Sequence, residues 1–379
     1  MKKKLLIVTA NDFLVYQPTI LNLYDFLKVH FDVSIISFEP EFIGKTKDET
    51  RNIIYLKIPL RKTIQDFDYA IFLMLKIFRK ILPSINYDYW ISKRLQRLIL
   101  QRKVRKSKSD IILAVDTLAL FISQNTFPSC HFVSLEIYPD DPYLKKIDAG
   151  KIQSVVIQNQ MRYEYFFDKI KPRVFYIQNS PVFKEESISH YKRSGLIWAG
   201  SIVKRFAVFS CIEFVEKYTE YNLVLKGGGE KKTLQYIQEN YSELISKGNI
   251  KIDQSYLASV AFIEYLSRFR IGFCFYSWDL IKSSINYQTA PSGKLFMYLA
   301  AGVPVVACNI PGFHFVKEFN AGILIDDYEP STIKDAIDKI ENSYHQFQSG
   351  CYEAARHFSF DKNVAPFVQY LLTCSNSSE

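Results

Sequence analysis

Ala290-Pro-Ser-Gly-Lys-Leu-Phe-Met-Tyr-Leu-Ala-Ala-Gly-Val-Pro-Val-Val-Ala307 is the stretch that decides the fold. Its spacing predicts a helix with written start and stop signals, set between a loop and a buried strand. Ser292, behind Pro291, is an N-cap residue type, Gly302 falls where a helix stops, and Pro304 prevents continuation. Val303 to Ala307 then reads as a short apolar strand. The free N–H groups and positive dipole end of such a helix point at the loop before it, which suits an anion. Gly293 lets a ligand approach the backbone, and Lys294 adds a full positive charge. A diphosphate is the natural occupant. The same residues would also serve a purely structural helix with a solvated lysine.

Outward from this stretch, short apolar runs alternate with helix-like segments. Before it lie Leu5–Thr9, Val33–Ser37, Ile53–Ile58, Ile111–Val115, His131–Ile137, Ser154–Ile157 and Val174–Ile177, with Pro18–His30 and the segment from Leu118 as helices. A second series follows: Gly195–Trp198, Asn222–Lys226, Ile250–Ile252, Ile271–Phe275, Val303–Ala307 and Gly322–Ile325. Each series is the βαβ pattern of a mainly parallel, doubly wound sheet. A chain of 379 residues suits two domains of roughly 170–190 residues each. The polarity of Asn179-Ser-Pro181 to His190 places the boundary near 182–190. The expected fold class is α/β, with two Rossmann-like doubly wound domains (1–185 and 186–357) facing a cleft. A final segment, 358–379, carries a helix expected to pack back on the first domain. Ligands of such sheets bind beyond the C-terminal ends of the strands.

An apolar fraction of 48% supports large cores and excludes a disordered chain. Met1-Lys-Lys-Lys before Leu5–Thr9 is expected to open the first strand rather than a leader. Apolar runs of about 18 residues do not occur, so a membrane span is not expected. The six cysteines are far apart, without Cys-x-x-Cys spacing or a histidine partner, and fit reduced thiols in a cytoplasmic protein. A net charge of +9 is concentrated between Arg61 and Lys108, interleaved with Phe67, Tyr69, Phe72, Phe78, Tyr87, Tyr89 and Trp90. Such a segment suits an anionic membrane surface, to which each cation adds roughly 1 kcal/mol. An ordinary solvated helix face is the alternative. Nucleic acid is not expected, since no recognised binding motif accompanies the charge. The expected location is cytoplasmic, peripheral on the inner face of the cell membrane.

The opening stretch resembles the C-terminal-domain signature of GT-B glycosyltransferases of the family 4-like, or group 1, type. Pro291, Ser292, Lys294, Leu295, Tyr298, Ala300, Gly302, Pro304 and Val305 match that signature, with Gly293 as one extra small residue. The resemblance is clear over residues 190–360 and diffuse before them. It implies a hexosyltransferase-type enzyme that takes a nucleoside-diphosphate sugar, with a UDP-sugar favoured, as co-substrate and uses no cofactor. The implied acceptor is a glycan, lipid-linked or belonging to a surface polysaccharide, and the implied transfer is retaining and metal-independent. None of the six histidines forms a metal-like or Ser/His/Asp-type constellation.

By the same resemblance, Gly200 and Ser201 in Trp198-Ala-Gly-Ser-Ile-Val-Lys-Arg205 lie at the donor diphosphate, with Lys204 or Arg205 as the cation. Gly227 and Gly228 of Lys226-Gly-Gly-Gly-Glu230 line the donor site, as do Tyr287, Ser292, Gly293 and Lys294. Asp253 or Gln254 is a weaker candidate near the base. Glu136 resembles an acidic residue on the acceptor side, with Asp116 similar to it; Asn159 and Arg162 resemble a cleft-facing stretch. Glu136, Lys294 and Arg205 are the implied catalytic set. Each of these also has an ordinary explanation as a tight turn, a packed tyrosine or a solvated charge.

Three departures stand out. Met297 occupies a helix position where many family members bind ribose through Glu, and Thr289 stands eight residues earlier where a second Glu is usual. Leu135, rather than His, precedes Glu136. Asn11 and Asp12 end the first strand where relatives have a glycine-rich loop. A non-catalytic partner of another transferase, or a nucleotide-sugar epimerase or hydrolase, therefore stays open beside the transferase.

Overall fold

The structure, a computed structural model, describes residues 2–14, 17–40, 47–59, 63–64, 68, 91–138, 141–167, 172–184, 192–289 and 291–376. The chain divides into two compact units. Unit 1 comprises Met1–Ile157, Tyr163–Tyr176 and Val364–Glu379; unit 2 comprises Gln158–Arg162 and Ile177–Asn363.

Unit 1 is built on a seven-stranded sheet in the order β3-β2-β1-β4-β5-β6-β7. Its strands are β1 (Lys4–Thr9), β2 (Asp32–Phe38), β3 (Ile53–Leu56), β4 (Ile111–Val115), β5 (Cys130–Val133), β6 (Ile152–Ile157) and β7 (Arg173–Tyr176). Every pairing is parallel. Both faces are covered, so β4 and β5 are buried at every residue and read as unbroken apolar runs. The strand order reverses between β1 and β4, the switch point at which doubly wound sheets take ligands. In the last helix, Phe360–Asn376, the fully buried Phe367 packs edge-on against His131 and beside Phe175.

Several strands are shorter than the sequence predicts, β5 most of all. β5 stops at Val133 rather than Ile137 because the chain leaves the ladder there. The Ser134 N–H still reaches the Val156 carbonyl (2.9 Å), but the N–H groups of Leu135 and Glu136 turn to the Asp116 carboxylate. Of the basic segment 61–108, residues 60–62, 65–67 and 69–90 lie outside the described residues. Ile91–Lys106 is a helix that buries Leu100 and Val104 and exposes Leu98. No helix among the described residues is long and apolar enough to cross a membrane.

Unit 2 carries a six-stranded sheet, β10-β9-β8-β11-β12-β13. Its strands are β8 (Leu196–Ala199), β9 (Leu223–Lys226), β10 (Ile250–Asp253), β11 (Ile271–Cys274), β12 (Val305–Cys308) and β13 (Gly322–Ile325). These pairings too are all parallel, and the order reverses between β8 and β11. The opening stretch forms a helix, Gly293–Ala300, followed by β12. Its stop is the expected one. Gly302 stands at φ +64, its N–H donates to the Leu299 carbonyl, and the Val303 N–H donates to the Tyr298 carbonyl. Tyr298 is fully buried, and its hydroxyl accepts the Ala199 N–H (2.6 Å) while pointing at the Ile197 carbonyl (3.2 Å).

Candidate functional site

The switch point of unit 2 gathers most of the residues singled out in the sequence. Gly200 follows β8 at φ +133, and its N–H donates to the Lys226 carbonyl (2.9 Å). The loop then keeps pairing with its neighbour, since the Ile202 N–H donates to the Gly228 carbonyl (2.8 Å). Gly227, at φ +141, is a packing glycine: a Cβ there would lie 2.2 Å from the Gly200 carbonyl oxygen. Gly228 is exposed, with nothing within 4 Å of its Cβ direction, and its backbone is open to approach.

Lys294 is the chief feature of this crevice. Its helix packs Leu295, Phe296 and Tyr298 into one apolar cluster, whereas Trp198 belongs to the cluster on the other face of the sheet. Lys294 reaches between them beside β8, passing Gly200, whose missing Cβ would stand 3.5 Å from the lysine Cδ. Its ammonium lies 3.7 Å from the centre of the Trp198 ring, 5.8 Å from Tyr276 and 6.0 Å from Phe206. Among the described residues this ammonium has no carboxylate or hydrogen-bond partner, and burial pulls its pKa down. A cation held only by ring faces keeps its full capacity for an anion.

Lys204 and Arg205 form a 3-10 turn with Phe206, closed by Ala207 at φ +55. Both are exposed, and neither side chain has an ion-pair or hydrogen-bond partner among the described residues. The Arg205 carbonyl accepts the Ser277 N–H (3.0 Å), which ties this turn to the end of β11. Ser201 is exposed beside it.

Ser292 differs from the expectation. Its hydroxyl caps no helical N–H, and the carbonyl accepts the Leu295 N–H instead (3.0 Å). The hydroxyl is drawn toward the Cys274 thiol and the Tyr276 phenol, whose pKa burial pushes well up. At Gly293 a Cβ would come within 2.7 Å of the Asn179 amide nitrogen, so Asn179 sits at the mouth of the helix. Tyr287 lies in a short helix, Ile285–Thr289, and packs at 69° against Tyr276 rather than standing clear. Met297 is half-buried against the same apolar cluster.

Asp253 is engaged elsewhere. The buried Lys226 ammonium binds its Oδ1 (2.8 Å) together with the Ser255 carbonyl (2.6 Å), and the Tyr265 hydroxyl donates to Oδ2 (3.0 Å). Burial pushes the Asp253 pKa up, but hydrogen bonds from Lys226, Ser255 and Tyr265 outweigh it and hold the carboxyl well below its usual range. Arg162 is fully buried and hydrogen-bonds the Asn286 side-chain oxygen (3.1 Å), and Asn159 donates to the Thr289 carbonyl (2.7 Å). These two residues hold the segment leading to Pro291 instead of lining an open surface.

Glu136 belongs to unit 1, half-buried just past β5 near that unit's own switch point. Sequence reasoning missed the ring box around Lys294. Trp198 in the strand and Phe206 after the cations were its visible signals. The chain has one Asp-x-Asp pair, Asp66-Phe67-Asp68. Asp68 is buried and Asp66 lies outside the described residues. Among the described residues no cluster of His, Cys, Asp and Glu could hold a metal ion.

No protein-family model matches this chain, and neither does any curated protein sequence. Solved structures do resemble it. The chain superposes on WaaG, a glycosyltransferase involved in lipopolysaccharide biosynthesis, with a TM-score of 0.60 at 11% identity, over 96% of this chain and 97% of that one. A UDP-forming α,α-trehalose-phosphate synthase from Burkholderia xenovorans gives 0.62 at 11% identity, over 98% of each chain. Alr3699/HepE of Anabaena, solved with UDP and glucose, gives 0.63 at 13% identity over the whole of both chains. At these identities the likeness concerns the fold alone. The fold of this chain is that of the GT-B glycosyltransferases.

Proposed function

We propose that this chain is a glycosyltransferase that moves a sugar from a nucleoside-diphosphate sugar, with UDP-sugars favoured, to a lipid-linked or surface-polysaccharide acceptor. The observation that carries the reading is the Lys294 ammonium, set among rings at the β8–β11 switch point with no acid beside it among the described residues. Gly228 leaves backbone open for the diphosphate, Gly200 leaves room for the Lys294 stem, and Lys204 and Arg205 add exposed cations beside it. In the transfer, the bond between the anomeric carbon and the diphosphate oxygen breaks and its electron pair leaves with the nucleotide. The acceptor hydroxyl forms the new bond, and its proton passes to the departing phosphate. Lys294 and Arg205 stabilise the charge that develops there, a contribution of about 2.7–4 kcal/mol for each preorganised donor. Glu136 holds a hydroxyl of acceptor or donor sugar. A retaining, metal-independent reaction is part of the proposal.

Peripheral attachment to the cytoplasmic face of the membrane is also proposed. Arg102, Arg105 and Lys106 are exposed on the Ile91–Lys106 helix and make no ion pair among the described residues. The second reading, a non-catalytic relative, draws on Met297, whose thioether is only a weak acceptor for ribose hydroxyls.

The test is a thermal-shift series with UDP-, GDP-, ADP- and dTDP-sugars on wild type and Lys294→Ala. A ligand at a hundred times its Kd stabilises the folded state by about 2.7 kcal/mol. The expected result is a rise in Tm with one nucleotide sugar, lost in the variant, and release of its nucleoside diphosphate on prolonged incubation. A folded protein that none of the nucleotides stabilises would end the donor-site reading, and binding without turnover would favour the non-catalytic one.

A further inference from the structure

Asp116 follows β4 directly and stands at φ +59, in the left-handed region. A residue with a Cβ is strained there, and the strain persists only where its surroundings fix it. Two consecutive residues show what does so. Asp116 Oδ1 accepts the backbone N–H of Leu135 (2.8 Å) and of Glu136 (3.1 Å). The Thr117 hydroxyl hydrogen-bonds Asp141, whose Oδ1 accepts the Tyr143 N–H (2.8 Å). The turn at the end of β4 thus grips the segment after β5 at two points, and the nearer grip is on the peptide groups flanking Glu136.

The geometry accounts for the strain. With β5 ended at Val133, the amides of residues 135 and 136 have no strand to pair with, yet Leu135 and Glu136 are both only half-exposed. A carboxylate is the strongest acceptor available, and a short side chain on a left-handed backbone delivers it. Aspartate and asparagine combine an acceptor with tolerance of this conformation; glycine has the tolerance alone.

We infer that Asp116 is a positioning residue that sets the direction in which the Glu136 side chain leaves the backbone. It acts through the two amides and touches no substrate. The inference rests on the proposed acceptor-side role of Glu136. A shift of about 1 Å in a reacting group can cost about a hundredfold in rate.

The experiment compares wild type, Asp116→Gly, Asp116→Asn and Glu136→Gln. It follows UDP release from UDP-glucose, UDP-galactose and UDP-N-acetylglucosamine, with amide hydrogen exchange at residues 135 and 136. Asp116→Gly is expected to lower kcat about a hundredfold with KM for the nucleotide sugar and Tm unchanged, and to speed exchange at both amides. Asp116→Asn, which keeps an acceptor, is expected to restore both. Full turnover in Asp116→Gly, or equal loss in Asp116→Asn, overturns the inference. If Glu136→Gln turns over normally, the role of Glu136 fails and the inference with it. If Glu136→Gln is inactive while Asp116→Gly is not, the inference alone fails. A wild type that releases no UDP from any of the three sugars overturns both.

Discussion

Gly272 and Tyr298 compete for one volume: a Cβ on Gly272, in β11, would lie 2.9 Å from two carbons of the Tyr298 ring. The tyrosine comes from the Gly293–Ala300 helix, and its hydroxyl ends at the backbone of β8. One side chain therefore lies across the two strands that border the switch point, and the glycine is what allows it there.

Gly272→Ala is expected to destabilise unit 2 by about 1–3 kcal/mol through overpacking. Tyr298→Phe keeps the ring and strands the Ala199 N–H, with a similar cost of about 1–3 kcal/mol. Urea unfolding of both variants checks this, and changes within 0.5 kcal/mol would contradict it.

The turn at Gly293 offers a paired test. Gly293→Ala pushes against the Asn179 amide, which would stand 2.7 Å away. Nucleotide-sugar affinity is expected to fall about tenfold, equivalent to about 1.4 kcal/mol. Removing the obstacle in the double variant Gly293→Ala/Asn179→Ala is expected to recover part of the loss. A double variant weaker than either single one would show that Asn179 does not act through space at this position.

Stability should depend on pH through His131. Burial pushes its pKa down to about 4 from 6.5, and its Nδ1 lies 2.8 Å from the Ser154 hydroxyl. As pH falls from about 6.5 to about 4, the unfolded chain takes up a proton that the folded chain does not. The contribution of this residue is therefore complete above about pH 6.5 and declines below it. Urea titrations across that window are expected to show a shallower slope in His131→Gln than in wild type.

A second acid dependence comes from Asp253. Its folded pKa is depressed below the ordinary aspartate value of 3.8, so its stabilisation is present above that pH and fades as pH falls further. Lys226→Met removes the partner and leaves the carboxylate partly buried, at a cost of about 3 kcal/mol near neutral pH. The acid limb of the stability curve is expected to flatten in that variant, as measured by chemical unfolding between pH 2 and 5.

The fold was legible because its signals are local. The apolar runs of β1, β4, β8 and β12 and the Gly302–Pro304 stop each occupy a few neighbouring residues. What the sequence did not disclose depends on partners far along the chain. Ser292 is a good cap type, yet its hydroxyl meets Tyr276, sixteen positions earlier. Arg162 resembled a cleft-facing residue and is buried instead, with Asn286 receiving it. Asp253 looked available until Lys226, at the end of the adjacent strand, claimed it. Asp116 carried no hint of a left-handed backbone, since that conformation is imposed by amides about twenty residues downstream.

The setting of Lys294 also has a consequence for its chemistry as an amine. Burial makes the ammonium easier to deprotonate, and ring faces oppose this less than a carboxylate would. The free base is the nucleophile, so this lysine should acquire an acyl or reductive-alkyl label at a lower pH than the solvated lysines of the chain. Its reactivity then becomes a footprint: an anion seated in the crevice would stabilise the charged form and shield the site from the reagent.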